Sequence, residues 1–197
     1  MKKIAILVIL AIIVILSSCR NESTPVQTEL HSESVQKELE STDVQAELAS
    51  KDFIFLSGAG AWRTLLTINE DGSFSGEFID DDMGTNTRYY SSFTGEFTDI
   101  QKENEYSYKM KVNEINYKNT PDTEETIDGT LVKYSTAYGL AGTEYVYLIL
   151  PGTPISTLPE GFRNSAKAYF SLNESELLEG YALYNPSKEY VFVEDVD

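Results

Sequence analysis

The chain has 197 residues, with 32 Asp and Glu against 15 Lys and Arg and a formal net charge of −17. Acidity on this scale disfavours nucleic acid and anionic lipid headgroups as partners, since binding either needs clustered Lys and Arg. The only cysteine is Cys19 and the only histidine is His31, in a polar stretch, so the domain downstream has no disulfide, thiolate site, His-based triad or His-ligated zinc.

Lys2 and Lys3 precede an unbroken apolar run from Ile4 to Leu16, which Leu16-Ser-Ser-Cys19 closes. A basic start, an apolar centre and small residues before a cut form the layout of a secretory signal. The 13 residues of the run span roughly 20 Å as a helix, short of the about 30 Å of hydrocarbon that a permanent span crosses. The stretch resembles the signal of bacterial lipoproteins, in which a Leu-small-small-Cys box is cut before the cysteine and the thiol is diacylglycerylated. This resemblance implies that residues 1–18 are a signal peptide and that Cys19 is the lipidated first residue of the mature chain. The expected location is the extracellular face of a cell membrane, with diacylglycerol on Cys19 as the membrane contact. Without Lys2 and Lys3 the charge becomes −19.

From residue 20 to residue 52 the chain is polar and repeats itself: Val26-Gln-Thr-Glu-Leu30, Val35-Gln-Lys-Glu-Leu39 and Val44-Gln-Ala-Glu-Leu48. Nine residues advance a helix by about 900°, which turns each Val/Leu pair to the side opposite its predecessor, so no continuous apolar stripe forms. The expectation is a solvated, disordered tether over 19–52 with a coil-like reach of roughly 30 Å. A single β-rich domain is expected over 53–197.

Within that domain the clearest signal is the stretch Gly58 to Phe78. A three-residue loop, Glu70-Asp71-Gly72, with Gly72 in left-handed backbone, sets Ile68 opposite Phe74, Leu66 opposite Gly76 and Thr64 opposite Phe78. Trp62 shares that face and is expected in the core. Asp80-Asp81-Asp82 lacks the alternating spacing of calcium loops and reads as solvated, and no metal or cofactor is expected.

Alternation resumes with Tyr89, Ser91, Phe93, Gly95 and Phe97, then with Tyr106, Tyr108, Met110 and Val112, as half-buried antiparallel strands. A polar loop is expected over 116–125, then strands over 126–134 and 144–150, the latter covered on both faces. Helix is expected over 163–170 and over 174–179, the second capped by Asn173. A terminal hairpin follows across Asn185-Pro-Ser-Lys188. The fold class is therefore mainly β, an antiparallel β-barrel or sandwich with one or two short helices near the C-terminus.

Gly60-Ala-Trp62, Asp71-Gly-Ser-Phe-Ser-Gly76 and Phe93-Thr-Gly-Glu-Phe97 resemble the opening of lipocalin- and avidin-type barrels. Trp62 is the only tryptophan, so biotin binding is not implied. The whole layout resembles uncharacterised surface lipoproteins of Gram-positive bacteria. The expected function is a non-enzymatic binding or interaction module for an unknown extracellular ligand or protein, at a barrel mouth or an exposed aromatic face, with Tyr89, Tyr90, Tyr106 and Tyr108 as candidate contacts. The alternatives are a carboxylate-based hydrolase of cell-envelope glycans and a passive structural or immunity-type surface protein.

Overall fold

A computed structural model describes residues 44–49, 51–57, 61–167, 169 and 176–195. The signal, Cys19, His31, the first two repeats, Gly60 and Asn173 lie outside the described residues.

Period-two alternation folds into strands β1 (Lys51–Leu56), β2 (Trp62–Ile68), β3 (Ser73–Asp82), β4 (Thr87–Asn104) and β5 (Ser107–Val112), then β6 (Asn116–Tyr117), β7 (Glu124–Ile127), β8 (Thr130–Tyr134), β9 (Tyr145–Ile149), β10 (Ala182–Asn185) and β11 (Tyr190–Glu194). The order β3-β2-β1-β11-β10-β9-β5-β4, with β4 returning to pair β3, closes eight antiparallel strands into a barrel. Closure, and not a sandwich, follows from the length of β4. Its first half pairs with β3 from Thr87↔Asp82 to Glu96↔Ser73, and its second half pairs with β5. Asp99, at φ 49°, sits where the β4–β5 register shifts between Thr98 and Gln101, so a bulge bends the strand from one partner to the next.

The β2–β3 hairpin has the expected register, with Ile68↔Phe74, Leu66↔Gly76 and Thr64↔Phe78. Gly72 has φ +82° and donates its N–H to Asn69 O at 3.0 Å. The terminal hairpin also forms, from Ala182↔Val193 to Asn185↔Tyr190, but Asn185 belongs to its first strand and the turn is 186–189, one residue later than expected, closed by Glu189 at φ 56°. The 126–134 stretch is not one strand. Asp128 and Gly129, at φ 49° and 84°, turn the chain back and make β7 and β8 a hairpin, as Asp-Gly favours. β8 runs parallel to the first half of β4, and β6 pairs Phe93 and Thr94. Together they cover the β4 edge that β5 leaves unpaired.

Only one of the two late helices is present among the described residues. It is α1 (Glu160–Ala166), starting after Pro159, where the ring pre-sets φ, and it follows a 3₁₀ turn over Ile155–Thr157. Residues 176–179 are extended, with Leu177 bridged to Pro154 and Leu178 N–H donating to Thr153 O at 2.9 Å, because burying Leu178 against the barrel outweighs local helix propensity. The cluster of Ile149, Ile155, Leu158, Phe162, Leu178 and Val193 is a second core between the barrel wall and this segment. It covers the outer face of β9 to β11 as expected for 144–150.

The folded unit reaches further back than Phe53. Residues 44–48 form a helical turn whose Val44 and Leu48 are 4% and 1% exposed and belong to the barrel core. The third repeat is therefore a packed element and not part of a solvated tether.

Candidate functional site

The inside of the barrel is filled. Phe53, Phe74, Phe93, Phe97, Phe192 and Met110 are among its fully buried side chains. Each end is closed by a different device.

At the end made by the β1–β2, β3–β4 and β10–β11 loops, the connection from β8 to β9 folds inward. Ala137 and Leu140 are fully buried, and the Tyr138 ring packs against Phe55, Trp62, Phe78 and Tyr190 with centroids 4.9 to 5.7 Å apart. Three hydrogen bonds from two side chains pin this loop. Thr64 Oγ1 donates to Tyr138 O at 2.9 Å, and buried Asn185 donates through Nδ2 to Gly139 O at 2.8 Å and to Thr143 Oγ1 at 2.6 Å. Hydrogen bonding with Tyr190, then burial and the nearby Asp80 charge, push the Tyr138 phenol up to about 12. Trp62 is half-buried in this lid, at the rim of the core where the sequence placed it inside.

At the opposite end, beside the β2–β3 turn and the start of β10, the 44–48 turn is the stopper. Tyr181 donates its hydroxyl to Glu47, and burial together with that carboxylate raises the phenol's pKa well above its ordinary value. Gln45 lies over Gly72, where a Cβ would come within 2.6 Å of Gln45 Nε2.

With both ends closed, open concave surface lies on the outside. One groove of about 510 Å³ runs along β3, β4 and β8 and is lined by Glu77, Arg88, Tyr90, Val132 and Tyr134. Its polar groups already satisfy one another: Tyr90 donates to Glu77 at 2.8 Å, Tyr134 donates to Glu125, and Arg88 grips both carboxylate oxygens of neighbouring Asp81 at 2.6 and 3.0 Å. Burial and the Glu77 carboxylate raise the Tyr90 pKa. Asp82 is likewise engaged, accepting from Gly84 N and Thr85 Oγ1, so two members of the acidic run shape the β3–β4 turn.

A second groove, about 540 Å³, opens where the outer cover of β9 and β10 stops short of the β4–β5 turn. Tyr106, Tyr147, Ile149, Leu158, Pro159 and Tyr184 make its apolar walls. Glu103 and Glu105 stand exposed on its rim. This combination of apolar walls and a few charges at one edge is typical of small-ligand or peptide sites.

The four candidate tyrosines are not brought together. Tyr89 is exposed at the lidded end near Lys133, Tyr90 lines the self-paired groove, and Tyr106 lines the apolar one. Tyr108 is only 9% exposed and packs in the barrel core, because its side of β5 faces inward. Tyr147 and Tyr184 escaped the sequence reading, since strand tyrosines alternate between faces that sequence cannot label. The available signal was Tyr147-Leu-Ile149, two large side chains on the outward face of a strand.

The class this fold defines is a closed antiparallel barrel with a filled interior and its concave surface on the outside wall. Comparison with family models, curated proteins and solved structures finds no match for the chain.

Proposed function

We propose that this protein is a lipid-anchored, non-enzymatic binding module of the cell surface that holds its ligand in the outer groove at Tyr106, Tyr147 and Tyr184. One observation carries the reading: the barrel interior is full and closed at both ends, while an apolar groove of about 540 Å³ stays open on the wall. Its two rim carboxylates, on a chain of net charge −17, favour a ligand with an apolar body and a cationic group. Titration with a cationic amphipathic peptide, a neutral hydrophobic dye and cell-wall glycan fragments tests this. The expected outcome is saturable binding of the peptide, weakened about tenfold or more by Glu103→Lys with Glu105→Lys, equivalent to about 1.4 kcal/mol. Tyr147→Ala should weaken both peptide and dye. Absence of saturable binding to all three probes would remove the binding role.

The anchor is supported by the Leu16-Ser-Ser-Cys19 signal and by Cys19 being the only thiol. Two acyl chains at about 0.8 kcal/mol per buried methylene hold a protein on a membrane stably. Intact mass of the membrane fraction should show a chain that starts at Cys19 and carries diacylglycerol, and Cys19→Ala should leave the membrane or stay as precursor. A mature species without the lipid mass would rule out the anchor.

A further inference from the structure

The socket at the stoppered end of the barrel recognises four side chains of the third repeat, and the same four recur upstream. Val44 and Leu48, four residues apart and so on one side of a helical turn, enter the core. Gln45 lies over Gly72, and Glu47 accepts the hydroxyl of Tyr181. The middle position, Ala46, is exposed. Val26-Gln-Thr-Glu-Leu30 and Val35-Gln-Lys-Glu-Leu39 keep the Val, Gln, Glu and Leu and change only the middle position, to Thr and Lys. The four residues that meet the barrel are constant across the three copies, exposed Glu47 included through its bond with Tyr181, and only the middle one varies.

We propose that the socket is a binding site for the Val-Gln-x-Glu-Leu segment as such, and that Val35–Leu39 of the same chain is its alternative occupant. The nine-residue period fits occupancy by one copy at a time. It turns successive Val/Leu pairs to opposite sides of a helix, which defeats a continuous helical stripe but costs nothing when each copy docks alone. Docking of Val35–Leu39 lengthens the loop before β1 from 49–50 to 40–50, and closing the longer loop weakens it by about one order of magnitude, on the order of the length ratio to the power 3/2. The third copy, next to β1, is therefore the resident. With Cys19 as the anchor proposed above, each exchange shortens the chain between membrane and barrel by nine residues, so the repeats set the height of the barrel in steps. The socket itself is independent of that anchor.

The test uses the full chain in detergent, where lipidation has no bearing on the readout. Ala46→Lys, which gives the third copy the five residues of the second, should leave the urea midpoint of Trp62 fluorescence unchanged. Val44→Ser with Leu48→Ser should still fold. Its amides over 35–41 should exchange at least tenfold more slowly than in the variant that also carries Val35→Ser and Leu39→Ser, and its midpoint should lie between wild type and that fourfold variant. Val35→Ser with Leu39→Ser alone should match wild type. Equal exchange and equal midpoints for the twofold and fourfold variants would overturn the proposal. So would failure of the twofold variant to fold, a large loss with Ala46→Lys, or protection that appears only in a dimer.

Discussion

Gly139→Ala is expected to destabilise the protein by about 2–5 kcal/mol, from about 1–2 for a side chain in left-handed backbone and about 1–3 for overpacking. Gly139 has φ +96°, and a Cβ there would lie 2.6 Å from Phe192 and 2.9 Å from Phe55. Both rings belong to the cluster under the lid, and Phe55 also meets Trp62 at 4.9 Å and Tyr190 at 4.8 Å, so neither has free space to retreat into. The Gly139 carbonyl is held by buried Asn185, so the backbone cannot shift outward without breaking that bond. Gly142→Ala is the control. Its φ is +73° with no atom within 4 Å of the added Cβ, so it should show the backbone cost alone, about 1–2 kcal/mol. Urea unfolding followed by the single tryptophan, Trp62, which sits in the lid, measures both. Equal midpoints for the two variants would show that the lid yields to the methyl group and is not clamped on the rings.

Phe93→Ala should cost about 3–5 kcal/mol, the usual range for a buried phenylalanine that leaves a cavity. Phe93 is 2% exposed and lies opposite Gly76 on β3, while Phe74 lies opposite Gly95 on β4. Each ring covers the opposing glycine, with a Cβ at either position meeting ring atoms at 2.4 Å. The two rings also meet edge to face, centroids 6.5 Å apart. Truncating Phe93 therefore empties core volume and uncovers the Gly76 backbone at once. Gly76→Ala should be costly in wild type and less so in the Phe93→Ala background, where the Leu65 carbonyl at 2.9 Å is the remaining obstacle. Additive costs in the double-mutant cycle would mean that ring and glycine are not a packed pair.

The site was less legible than the fold. Tyr90 and Tyr106 were named from sequence and do line grooves, but on different parts of the wall, and Tyr108, equally suggestive in sequence, turned out to be core. A tyrosine on an alternating strand is apolar enough for either face, so its identity does not report which face is inside. Asp128-Gly129 was a local signal that could have split the 126–134 strand into β7 and β8. Tyr138 could not have been found that way, since its role rests on rings from β1, β2, β3 and β11 converging on one loop.

What the sequence by itself determined is what short-range chemistry controls. Asn69 and Gly72 set the turn that puts Ile68 opposite Phe74, because a turn of fixed length leaves one register for the strands it joins. Two-residue alternation then told which strand residues share a face. Only the tertiary structure decided that β4 bends at Asp99 to close a barrel, that 176–179 lies extended along Thr153, and that Val44 and Leu48 leave the polar segment to stopper the core. Each of these depends on a surface built from strands far apart in the chain. A five-residue helical turn is too short to be stable alone and forms here because the barrel end offers a place to bury one side of it.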